Sequence, residues 1–167
     1  MTDLRQLAQD VVSTAMKSGA TAADSIVREG SEFNATVRCG ELEQLKEAGS
    51  KAIGLRVFSG QRVASAYSSD FSAAGIERLI SSALAAARIT SEDPHAGLPD
   101  AAEAGQFTGD LDLYRNDVAE RDAGSLIDAA RRAEQAAFAV DSRIQNSEGS
   151  SFSASHGRKI LATSQGF

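Results

Sequence analysis

The stretch from Asp24 to Tyr67 most constrains this chain, because its short runs of alternating residues are broken at Gly30, Gly40, Gly49 and Gly60. A side-chain period of two belongs to strands, and glycine between such runs supplies positive φ or little bulk for a turn. The expected strands are Ser25 to Arg28, Glu32 to Arg38, Leu42 to Glu47, Ala52 to Phe58 and Arg62 to Tyr67. The clearest alternation sets Ile53, Leu55 and Val57 against Gly54, Arg56 and Phe58. Strands spaced so closely leave no room for crossover helices, so the pattern predicts an antiparallel meander rather than βαβ units.

Helical periodicity flanks this stretch. Leu4, Leu7, Ala8, Val11, Val12, Ala15 and Met16 form one stripe that Gly19 can stop. Ile76, Leu79, Ile80, Ala83, Leu84 and Ala87 form a second, with Asp70 or Ser72 as cap and an end near Arg88. A third helix is expected from about Asp122 to Val140, with Leu126, Ile127, Ala130, Ala133 and Ala137 on one side. The tail returns to strand character at Arg143 to Ser147, Ser151 to Ser155 and Arg158 to Ser164, with His156-Gly157 as a turn.

These elements give an α+β fold: an antiparallel β meander packed by amphipathic helices, followed by the first strands of a truncated second β domain. The expected divisions are an N-terminal α+β domain over 1–90, an irregular connection over 91–120 with both prolines, Gly97, Gly105 and Gly109, a helix over 121–141 completing that domain, and a further β domain starting over 142–167. The stop at Gly166-Phe167, without cap or charged tail, predicts a cut within an element.

Chemistry is sparse. The formal charge of −6 repels phosphate backbones and anionic lipid, so neither nucleic acid nor membrane is an expected partner. No apolar stretch approaches the roughly 20 residues of a membrane span, and no signal peptide is evident, which predicts a cytoplasmic protein. The single cysteine, Cys39, fits a reducing compartment and sits in Val37-Arg38-Cys39-Gly40-Glu41, which reads as a tight turn between strands rather than a nucleophile's setting. His95 and His156 are far apart in sequence and fall in expected turns, without metal-ligand spacing, so no metal site and no cofactor is assigned. Asp110 and Asp112 are expected to be solvated loop acids. The serines of Ser150-Ser151-Phe152-Ser153-Ala154-Ser155 alternate as an exposed strand face would. They also offer a hydrogen-bonding strip to an extended peptide. No catalytic residue is assigned.

Several phrases together resemble the TldD/PmbA peptidase family, also called modulator of DNA gyrase, in its PmbA/TldE-type branch. They are Gly40-Glu41-Leu42-Glu43, Gly54-Leu55-Arg56-Val57-Phe58, Ser65-Ala66-Tyr67-Ser68-Ser69-Asp70 and the run from Ala87 to Gly97. Asp110-Leu111-Asp112-Leu113, Arg132-Ala133-Glu134-Gln135-Ala136-Ala137, Arg143-Ile144-Gln145-Asn146-Ser147-Glu148-Gly149 and Ser164-Gln165-Gly166-Phe167 complete the series. The resemblance covers almost the whole chain and implies the N-terminal region of a longer metallopeptidase subunit acting on unfolded peptides. It also implies a dimer, with a TldD-type subunit or with itself, and zinc held by the TldD-type partner through a His-Glu-x-x-x-His motif that has no match here. Asn146, Ser151 and Ser153 are the substrate-binding candidates, since the segment around them resembles the entry to the larger β domain. The alternative is a structural or dimerisation module with a regulatory partner.

Overall fold

A computed structural model describes residues 3–100, 102, 109–115, 117 and 121–166. Gly105 and Phe167 lie outside the described residues. Helix α1 spans Leu4–Lys17, strand β1 Ala22–Arg38, β2 Glu41–Ser59, β3 Arg62–Ser68, α2 Ala73–Ile89, α3 Ala123–Phe138 and β4 Ser150–Thr163. The four strands form one sheet in the order β3-β2-β1-β4. Three hairpin-connected strands with the fourth beside the first is the Greek-key order. The sheet is antiparallel, as expected.

Each helix boundary has a local cause. The Asp3 carboxylate accepts hydrogen bonds from the Arg5 and Gln6 backbone N–H groups at 3.0 and 3.1 Å, which caps α1. At its other end Gly19 has φ +108°, with Gly19 N–H bonded to Met16 O and Ala20 N–H to Ala15 O. That is the paired bonding of a Schellman motif. Ser72 caps α2 and Asp122 caps α3, each through a backbone N–H three residues on.

The two hairpins explain which glycines make turns. Cys39 and Gly40 both have positive φ, 48° and 82°, as a two-residue type I′ turn between β1 and β2 requires. Gly60 at φ +60° opens the turn from β2 to β3, where Ser59 pairs with Arg62 and the register runs back to Ile53 with Ser68. Gly30 and Gly49 make no turn. They lie inside β1 and β2, so four of the expected short strands are two long ones. Gly30 answers instead to space: a Cβ there would stand 2.7 Å from the His156 carbonyl oxygen and 3.2 Å from the Gly157 Cα. The tail differs likewise. His156 and Gly157 sit within one continuous strand, β4, rather than at a turn. Arg143 to Ser147 is not a strand, because local side-chain bonds take its backbone groups. Asp141 accepts from Arg143 N–H, and Asn146 from Ser147 N–H.

The chain groups into two compact units. The first comprises 1–29, 51–109 and 158–167. Its core joins Val11, Ala15, Val27, Ile53, Leu55, Val57, Leu79, Ala83 and Ala162, so both helical stripes and alternate residues of the strands meet as the periodicities require. Ser25 is fully buried among them and donates its hydroxyl to Ala8 O at 2.9 Å, which ties α1 to β1. The second unit comprises 30–50 and 110–157, with Ala35, Val37, Leu126 and Ala130 buried. Among the described residues no helix is long and apolar enough to cross a membrane.

Candidate functional site

In the second unit β1 and β4 carry a polar strip. Ala35 and Val37 point inward, so Asn34 and Thr36 point to the opposite face. Asn34 donates its amide to Ser153 Oγ at 2.7 Å, and the Thr36 and Ser151 hydroxyls meet at 2.8 Å. Ser151 and Ser153 are exposed, as their alternation predicts. Two of the three candidate residues thus lie in one row, each bonded to a β1 side chain, and those partners, Asn34 and Thr36, were not singled out in the sequence. Their signal is the same alternation, read on the partner strand.

Asn146 belongs to another cluster of this unit, around the Cys39-Gly40 turn. Its side-chain oxygen accepts from Ser147 N–H and lies 3.7 Å from Cys39 Sγ. The centre of that cluster is Glu134 of α3, 3% exposed, whose carboxylate accepts from Cys39 N–H at 2.8 Å and Gly40 N–H at 2.7 Å. Arg131 adds a bond from its guanidinium to Gly40 O. The Gly40 amide chiefly, then the Ser147 hydroxyl and the Cys39 amide, hold the Glu134 carboxyl below the usual glutamate range, against the opposing pull of burial. A carboxylate held in this way anchors a turn. In the sequence Glu134 belongs to a family-like phrase but carries no site role, because a charged residue on a helix reads as solvent-facing.

The first unit contains a concavity of about 660 Å³ on the sheet face away from α1 and α2. Ile26, Gly54, Arg56, Tyr67 and Leu161 come from the strands, with Leu98 and Pro99 at the rim. Asp24, nearly buried, pairs with Arg56 there. Sequence reasoning missed this hollow too. Its trace was apolar Ile26, Tyr67 and Leu161 at positions where alternation calls for polar residues.

The remaining chemical candidates are exposed side chains. His95 lies exposed in a turn, its N–H donating to Asp93. His156 lies exposed in β4, with Ser31 Oγ 3.3 Å from its ring. Cys39 is exposed at its turn, and Asp110 and Asp112 are exposed acids joined by one local bond. Among the described residues no three His, Cys, Asp or Glu side chains are grouped to hold a metal ion. These residues do not fit a zinc site, and no step through a metal is derived from them.

Comparison with known proteins adds what the geometry leaves open. Residues 23–87 match the family model for PmbA/TldA metallopeptidase domain 1, and residues 116–167 match that for the PmbA/TldA metallopeptidase central domain. The chain belongs to the PmbA/TldD metallopeptidase family. It is 36% identical over 165 residues to Metalloprotease PmbA of Escherichia coli O157:H7, covering 97% of this chain and 36% of that protein. It is 35% identical over 164 residues to the Metalloprotease PmbA homolog of Haemophilus influenzae, covering 98% of this chain and again 36% of the other. The chain thus spans little more than a third of these PmbA relatives. Among solved structures, a candidate modulator of DNA gyrase from Bacteroides thetaiotaomicron superposes with TM-score 0.87 at 24% identity, over 99% of this chain and 38% of that one. TldE from Thermococcus kodakarensis superposes with TM-score 0.82 at 16% identity, over 96% and 35%. Both show the PmbA/TldD fold.

Proposed function

We propose that this chain is the N-terminal portion of a PmbA/TldE-type subunit of a PmbA/TldD metallopeptidase acting on unfolded peptides, with no autonomous catalysis in the portion itself. The observation that carries the reading is the succession of first-domain and central-domain matches along one chain. In this reading a TldD-type subunit supplies the zinc, the two subunits form a cytoplasmic dimer, and this chain helps to enclose the peptide. Asn146, Ser151 and Ser153 are assigned to peptide contact. Support comes from β4, which lies at a sheet edge and carries two of them in an exposed polar row. An extended peptide pairing with such an edge would find backbone groups and hydroxyls side by side.

The test is recovery of the full-length parent protein from its own cells, with mass spectrometry and zinc analysis of what comes with it. A zinc-bearing TldD-type partner is the expected result. Recovery of the protein alone with stoichiometric zinc would overturn the branch assignment.

A further inference from the structure

The apolar hollow of the first unit plays no part in the reading above. Its floor carries the Asp24–Arg56 pair, so charge is neutralised within the face and a matching surface need bring none. Around that pair Ile26, Tyr67 and Leu161 are exposed, and Tyr67 is 88% exposed. An aromatic and two aliphatics around a hollow have the composition of an interface core rather than of open surface.

Two observations bear on what covers it. The matched family models are the first and the central domain, and the chain spans only 36% of its curated relatives, so the larger share of such a protein is other sequence. Leu161 and Gln165 line the hollow, so residues joined to the central-domain segment are tethered along its wall. A short tether raises the effective concentration of a neighbouring segment to about the millimolar range, which a free partner does not reach. We infer that this face is an intramolecular docking surface, covered in the full-length protein by the region that follows residue 167.

The inference is tested by hydroxyl-radical footprinting of Tyr67 in the full-length parent protein, with a short peptide containing Tyr67 as the unprotected reference. Oxidation of Tyr67 is expected to be at least about tenfold slower than in the peptide, with the same protection after about hundredfold dilution. Oxidation at the peptide rate overturns the inference, because the face is then open. Protection that fades on dilution also overturns it, in favour of a second copy or a separate partner. Ile26→Lys places a charge in the hollow from an exposed position and is expected to restore Tyr67 oxidation while far-UV circular dichroism stays unchanged. If that variant does not fold, the wild-type dilution series decides alone. Neither readout depends on peptidase activity, so failure here is distinct from failure of the functional reading.

Discussion

Gly30 and Gly49 offer one substitution with opposite signs. Both lie within strands and neither has positive φ, so backbone strain does not separate them. Replacing glycine by alanine at a compatible site stabilises by roughly 0.4–1 kcal/mol, chiefly by narrowing the unfolded ensemble. At Gly49 nothing lies within 4 Å of the added carbon, so that gain is expected in full. At Gly30 the added carbon meets the His156 carbonyl oxygen at 2.7 Å and the Gly157 Cα at 3.2 Å, both backbone atoms that cannot swing aside. One strand must shift against the other, and overpacking of this kind costs about 1–3 kcal/mol. Subtracting the gain leaves Gly30→Ala destabilised by roughly 1–2 kcal/mol, while Gly49→Ala is stabilised by about 0.5 kcal/mol. Urea unfolding followed by far-UV circular dichroism gives both differences from the midpoints at constant slope. If the two variants move in the same direction, close strand approach is not why residue 30 is glycine.

Other outcomes follow from the same structure. Glu134→Gln leaves an amide facing two N–H donors and is expected to lower stability at pH 7. The native carboxyl is depressed, so its contribution is present above the ordinary value of 4.5 and is lost as pH falls through the lower native value. The gap between wild type and variant in urea midpoint should therefore shrink on acidification, and a constant gap would assign the effect to shape alone. Ile53→Ala, at a fully buried site in the first unit, is expected to cost about 2–5 kcal/mol in urea unfolding. The chain as given is expected to retain no stoichiometric zinc after dialysis against a weak chelator; metal analysis showing one ion per chain would contradict this. In the full-length protein, Ser151→Ala with Ser153→Ala should weaken capture of an unfolded peptide while lowering the urea unfolding free energy by no more than about 1 kcal/mol, since exposed hydroxyls contribute little to folding.

The elements were legible where period and cap agreed. The stripe from Leu4 to Met16 with Gly19 behind it named α1 almost to the residue, and Ser72 did the same for α2. Glycine was the ambiguous sign. A turn that needs positive φ, as at Gly40 and Gly60, and a strand that needs a bare Cα, as at Gly30, leave the same letter in the sequence. The serine row was legible as an exposed face, yet its partners Asn34 and Thr36 became visible only once β4 was known to lie beside β1. The burial of Glu134 could not be read, and the hollow around Tyr67 left only apolar residues at expected polar positions, because burial of a carboxylate and exposure of a tyrosine are decided by neighbours remote in sequence.

The pairing of β1 with β4 sets a schedule for synthesis. Ala23 N–H is bonded to the Ser164 hydroxyl across 141 residues, and Ser164 N–H returns a bond to Ala23 O. The meander of β1, β2 and β3 with its two helices closes through short loops and can form while the chain is still growing. At about 5–20 residues per second, the stretch from the end of β3 to β4 takes on the order of 5–20 s to emerge. Through that interval one flank of β1 stays open on a nascent sheet, a template for wrong strands in a crowded cell. The arrival of β4 is what closes that flank of β1.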